Sequence, residues 1–125
     1  MTTERVNVVM EHFQNPRNVG TLETPDAIGH AGSPEEGGFV VLQLRLEDER
    51  IAEARFQTFG CGYAIAASSV MTEWAVGKRL EEATSLTGEM LLDLLGEVPG
   101  EKRFCAELAV AALRDALRVE TKDRE

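Results

Sequence analysis

A chain of 125 residues and 13.7 kDa is long enough for one domain with its own core and too short for two of ordinary size. Acidic side chains outnumber basic ones 22 to 13, giving a net charge of −9 and a pI near 4.7, which argues against nucleic acid or an anionic membrane surface as the partner. No apolar run is long enough to span a membrane, Met1–Arg5 lacks the features of a signal peptide, and two cysteines cannot form a disulfide framework, so a reducing cytoplasmic location is expected.

Val6, Val9, Met10 and Phe13 recur at helical spacing and predict a short amphipathic helix over Thr3–Gln14, with His12 on its solvated face. Asn15-Pro16 ends it, because a residue before proline is driven out of helical dihedrals. Asn18–Gly38 is rich in glycine, proline and small polar residues and reads as mostly loop, with one short edge strand around Val19–Leu22.

Val40, Leu42, Leu44 and Leu46 then alternate with more polar neighbours, the period of a strand with one buried face. Ala52, Ala54 and Phe56 repeat the pattern after the charged turn Glu47–Arg50, so Val40–Leu46 and Ala52–Thr58 form a predicted hairpin. From Tyr63 the period becomes helical: Tyr63, Ala67, Val70 or Met71, and Trp74 share a face, and Gly77 is a stop. Leu80–Ala83 and Glu89–Leu95 are short helices, and Glu101–Val119 is the longest, followed by a charged tail at Glu120–Glu125 expected to fray. The expected architecture is α+β: one domain over residues 1–125, with a small antiparallel sheet packed on one face by helices.

Two residues stand out chemically. Cys61 lies in Phe59-Gly60-Cys61-Gly62, where strand gives way to helix; the glycines permit a sharp turn and the first helical amides favour a thiolate. Cys105 opens the last helix behind Lys102 and Arg103, a setting that also favours ionisation. Each has a plainer reading as a small buried apolar residue, stronger for Cys105 because Ala109 and Ala112 continue its stripe. His12 and His30 have no metal-helix spacing, and Gly29–Gly38 lacks the ending of a phosphate loop.

Three longer strings carry a resemblance. His12 to Gly20 (HFQNPRNVG), Ala54 to Ser69 (ARFQTFGCGYAIAASS), and Glu101 to Ala106 (EKRFCA) occur in the order seen in the IscU/NifU-type iron–sulfur cluster scaffold family, which the chain resembles over nearly its whole length. The resemblance implies three cysteines, an aspartate near the first and a histidine before the third. Cys61 and Cys105 match the second and third cysteines, while Glu36 falls at the first, Gly38 at the aspartate and Phe104 at the histidine.

The implied function is iron–sulfur cluster assembly as a scaffold rather than an enzyme. Iron, a transient cluster or zinc would be held by Cys61 and Cys105 with help from Glu36, and a homodimer would bring four thiolates together. The implied partners are a cysteine desulfurase and apo iron–sulfur proteins. Dependence on a dedicated chaperone is not implied, since the family's Leu-Pro-Pro-Val-Lys is here Val98-Pro99-Gly100-Glu101-Lys102. Two alternatives stay open: a sulfur relay in which Cys105 accepts persulfide and Cys61 passes it on, and a degenerate relative that binds partners and holds no cluster.

Overall fold

The structure, a computed structural model, describes residues 7–33, 35 and 37–123. Strands β1 (Ala27–Ser33), β2 (Gly38–Glu47) and β3 (Arg50–Phe59) form one antiparallel sheet in the order β1-β2-β3. Around it lie helices α1 (Val8–Gln14), α2 (Gly62–Ala75), α3 (Leu80–Ala83), α4 (Gly88–Leu95) and α5 (Phe104–Asp123), with a 3-10 turn at Gly100–Lys102. This is the α+β arrangement expected from the change of period near Gly62.

The predicted hairpin is present and slightly longer than expected. β2 turns into β3 through Asp48 and Glu49, whose φ angles of 55° and 65° give the left-handed geometry that two-residue hairpins require. One detail of the alternation needs correction. Arg45 pairs with Glu53 and Leu46 with Ile51, so Ala52 is an extra residue in a bulge. The buried series on β3 is therefore Ile51, Ala54 and Phe56, which removes more apolar surface from water than one beginning at Ala52.

The largest departure is β1, which occupies part of the stretch read as loop. Ala27 and Gly29 on its inner face are buried, and α5 lies directly against them. A Cβ on Gly29 would sit 2.2 Å from the Ala112 carbonyl oxygen and 2.4 Å from the Ala116 nitrogen. The small residues that make this segment resemble a loop are what let helix backbone approach strand backbone. The edge strand expected at Val19–Leu22 is only a bridge from Val19 to Phe56, with Gly20 N–H donating to the Phe56 carbonyl and Phe56 N–H to that of Asn18.

Helix α2 runs through the centre, packed against α1, α4, α5 and β3. Nine of its fourteen residues are buried, including Ser68, Ser69 and Thr72, so its amphipathic reading understates its coverage. α1 is also turned differently from expectation. His12 is inside, 6% exposed and 2.7 Å through Nδ1 from Ser69 Oγ, whereas Met10 and Phe13 are each nearly half exposed. Asn7 caps α1 by accepting the Met10 N–H, and the predicted helical residues Thr3–Val6 lie outside the described residues. α5 starts at Phe104 rather than Glu101 and continues to Asp123, past the expected end at Val119. No helix among the described residues is long and apolar enough to cross a membrane.

Two mutational outcomes follow. Gly29→Ala should destabilise the protein by about 1–3 kcal/mol or more, since backbone on both sides must move, and urea unfolding would measure it. Ser69→Ala should cost about 1–3 kcal/mol by stranding its partners, whereas Ser68→Ala should be neutral or stabilising, because Ser68 Oγ is buried with no hydrogen-bond partner among the described residues. Equal losses at both serines would contradict this account of α2.

Candidate functional site

The site forms where three chain ends converge. β3 finishes at Phe59, and Gly60, at φ +155°, turns the chain so that Cys61 becomes the extended N-cap of α2. The Cys61 carbonyl accepts the Ala64 N–H at 3.0 Å, which opens the helix. Cys105 occupies the second position of α5, whose start is brought alongside by the packing of α5 on α2 and the sheet. The two sulfur atoms, 44 residues apart in sequence, stand 3.9 Å from each other.

The start of β2 borders the same end of the fold. A Cβ on Gly60 would lie 3.6 Å from Gly38 Cα and 3.7 Å from the Gly37 carbonyl oxygen. Phe39 stacks on Phe59 with ring centroids 5.3 Å apart, and Phe59 and Phe104 are 66% and 44% exposed. On the other side the Phe13 ring covers Gly62, where a Cβ would come within 2.8 Å of it. The thiol pair is thus flanked by backbone and aromatic rings.

The thiols are not equivalent, contrary to the expectation of two accessible thiolates. Cys61 is partly exposed; Cys105 is 2% exposed. Partial burial opposes ionisation of Cys61, but the amides of Ala64 and Tyr63, the Cys105 thiol and the Lys102 ammonium outweigh it, and its pKa falls below the usual thiol value. Burial, followed by the charge on Cys61 beside it, pushes the Cys105 thiol up to about 12. The cations and helix start that the sequence places around Cys105 therefore lose to desolvation. The two sulfurs share one S–H···S contact, in which ionisation is favoured at Cys61 over Cys105.

The separation fits a shared soft metal. Two thiolates at about 2.3 Å from one tetrahedral zinc stand about 3.8 Å apart, close to the 3.9 Å found here. They fill two of its four positions, and among the described residues no group of three His, Cys, Asp or Glu side chains is arranged to hold a metal. Glu36, the expected third contributor, lies outside the described residues. Gly38 carries no ligand, and a Cβ there would stand 3.0 Å from the Phe59 carbonyl oxygen. Phe104 at the start of α5 presents an exposed ring rather than a nitrogen ligand.

Sequence reasoning missed Lys102 as the cation nearest in effect to Cys61, although it stands three residues before Cys105. It also missed the polar network behind the site, in which Ser69 Oγ accepts the Arg17 N–H and Asn18 Nδ2 donates to Thr72 Oγ1. The available signal was Ser68-Ser69 within a run of small apolar residues, which only a helix buried on most sides would place inside.

The thiol inequality predicts reactivity. Iodoacetamide should modify Cys61 first, with a pH midpoint below the ordinary thiol value of about 9. Cys105 should remain largely protected until strongly alkaline pH, consistent with its value of about 12. Peptide mass mapping across pH would detect the order, and faster labelling of Cys105 would reverse the assignment.

Comparison with known proteins places the chain. Residues 4–123 match the NifU-like N-terminal domain. The iron–sulfur cluster assembly scaffold protein IscU 1 of Archaeoglobus fulgidus is 46% identical over 109 residues, covering 87% of this chain and 71% of the relative. The Escherichia coli scaffold protein IscU is 41% identical over 121 residues, covering 94% of both. The crystal structure of a nitrogen-fixing NifU-like protein (N-terminal) from Brucella abortus superposes with a TM-score of 0.70 at 22% identity, covering 94% of each chain, and supports the fold. With the domain match spanning almost every residue and identities above 40% to two scaffold proteins, the chain belongs to the NifU-like N-terminal domain family.

Proposed function

We propose that this protein is an iron–sulfur cluster assembly scaffold, a carrier rather than an enzyme, acting in the reducing cytoplasm. Iron, a transient cluster or zinc is held by Cys61 and Cys105, with Glu36, two positions before β2 in sequence, supplying an oxygen ligand. The observation that carries the reading is the 3.9 Å separation of two thiols delivered by the starts of two helices. Relatives named as scaffold proteins give that pairing its context.

Two thiolates are half of the usual complement for an iron–sulfur cluster. A second protomer would supply the other half, so homodimerisation around the cargo belongs to the proposal. A cysteine desulfurase is the proposed sulfur source and apo iron–sulfur proteins are the recipients. With Glu101 after Val98-Pro99-Gly100, dependence on the dedicated chaperone is not part of the proposal.

A second reading is sulfur acceptance, and the difference in exposure changes its order. Cys61 is the thiol a donor meets first, whereas Cys105 lies 2% exposed beneath the surface. Incoming sulfur is therefore received on Cys61, reversing the relay expected from sequence. The two readings share a pair of sulfurs and differ in what arrives there.

Anaerobic reconstitution with iron and sulfide, followed by metal and sulfide analysis per chain, tests the scaffold. Cluster should be retained by the parent and lost in Cys61→Ser, with zinc protecting Cys61 from alkylation. Glu36→Cys should strengthen retention against a chelator several-fold, because thiolate suits iron bound to sulfide better than carboxylate does. Phe104→His should add a nitrogen ligand in the same sense. Equal retention by parent and Glu36→Cys would remove Glu36 from the site, and absence of metal in every variant would overturn the scaffold.

A further inference from the structure

We propose that Cys61 and Cys105 together release sulfide from a bound persulfide, with the dithiol serving as the internal two-electron reductant. The inference rests on the sulfur-receiving reading of Cys61 given above and adds a chemical fate for the sulfur. It follows from three features: the chain contains two cysteines and no others, their sulfurs lie 3.9 Å apart, and only one is open to solvent. A single exposed cysteine could accept a sulfur atom and keep it. A second thiol against its inner sulfur can expel it.

The first step is a transfer from a low-molecular-weight persulfide, R–S–SH. Cys61 sulfur attacks the outer sulfur of the donor, the donor S–S bond breaks, and R–SH leaves with the proton formerly on Cys61. The product is Cys61–S–SH, and no net oxidation of the protein has occurred. Burial keeps Cys105 out of this step, since a donor from solvent meets Cys61 first.

In the second step Cys105 sulfur attacks Cys61 Sγ. The new bond joins the two cysteine sulfurs; the bond from Cys61 Sγ to the outer sulfur breaks; the outer sulfur leaves with its own hydrogen and the Cys105 proton as hydrogen sulfide. The two cysteines together lose two electrons, and the departing sulfur gains them, passing from the sulfane to the sulfide state. No external reductant is consumed. The attacked atom is the one already 3.9 Å away, so closure to a disulfide length of about 2.05 Å is a movement of side-chain scale. With Cys105 on the protein side of Cys61, the leaving sulfur is on the side facing solvent and does not cross the core.

The step also limits itself. Without a reductant each chain releases one sulfide and stops as a disulfide, which cannot ligate metal through the same sulfurs. A dithiol must reopen the pair before the next turnover. Metal already held between the thiols should block the first step.

The test uses the full-length, reduced, metal-free protein under anaerobic conditions with glutathione persulfide freed of sulfide. Free sulfide and intact mass are followed against donor alone. The expected result is about one sulfide per chain above the donor control, with a loss of two hydrogens that peptide mapping assigns to a Cys61–Cys105 disulfide. Cys105→Ser should instead gain one sulfur atom on Cys61 and release no sulfide above the control. Cys105→Ala, which keeps the buried position apolar, should behave in the same way. Zinc added before the donor should suppress release in the parent.

A parent that retains the added sulfur as long as the Cys105 variants, with no disulfide, would overturn the proposal while leaving sulfur acceptance at Cys61 intact. Failure of Cys61 to gain sulfur in any variant would overturn both. Metal binding is measured separately in the reconstitution, so the fate of the scaffold reading is read independently.

Discussion

The burial of α2 is the constraint on which the rest of the structure depends. A helix covered on most sides cannot leave its hydroxyl groups to water, so Ser69 and Thr72 must be satisfied from within. The segment from His12 to Gly20 meets that demand. His12 Nδ1 is 2.7 Å from Ser69 Oγ, the Arg17 N–H donates to the same oxygen, and Asn18 Nδ2 donates to Thr72 Oγ1. Burial, with the Arg17 charge adding to it, lowers the His12 pKa and favours the neutral ring. A neutral Nδ1 can accept the Ser69 O–H while Ser69 accepts the Arg17 N–H, so the Ser69 hydroxyl is satisfied both as donor and as acceptor.

The same segment then reaches the sheet. Asn18 Oδ1 accepts from Arg55 Nη1, the Asn18 carbonyl accepts the Phe56 N–H, and Gly20 N–H donates to the Phe56 carbonyl. Its contacts join α2 to β3, the two elements that meet at Cys61. Residues 12–20 supply none of the candidate ligands, yet they fix the angle between the strand that ends before Cys61 and the helix that begins after it. Two short strings that look unrelated in sequence are halves of one hydrogen-bonded joint. Phe13, in the first of them, adds its ring over Gly62 at the mouth of α2.

What was legible in the sequence divides along physical lines. Long alternations survive in β2 and β3 because one face of the sheet is dry, and the strand-to-helix position of Cys61 is legible because two glycines mark the abrupt change. β1 was hidden because Gly29 is small for a tertiary reason, the nearness of α5, whereas local rules read glycine as loop. The Ala52 bulge was hidden because it shifts the pleat without changing the residue types around it. The polarity of His12 points it to water, and only the partner 57 residues away explains its burial. The proximity of Cys61 and Cys105 came from family resemblance, since no local spacing encodes a contact across 44 residues. Their inequality was not legible at all: charge and helix position can be read from a string, but desolvation requires the fold.

That inequality shapes what the pair can do. Two fully exposed thiolates 3.9 Å apart would repel each other, and two fully buried thiols would be inert to metal and sulfur alike. With Cys105 protonated against Cys61, an S–H···S contact sets the two sulfurs 3.9 Å apart. A metal bound between these sulfurs as proposed would have to displace the Cys105 proton, so uptake would be coupled to proton release and part of the binding energy would be spent on deprotonation. Two sulfurs also leave half of a tetrahedral metal to other donors. In the proposed scaffold, both effects would weaken the hold on metal compared with a closed four-thiolate site. A structural metal site gains by being closed, whereas a carrier of the proposed kind must give its cargo away, and an incomplete site with a proton ready to return would favour that release.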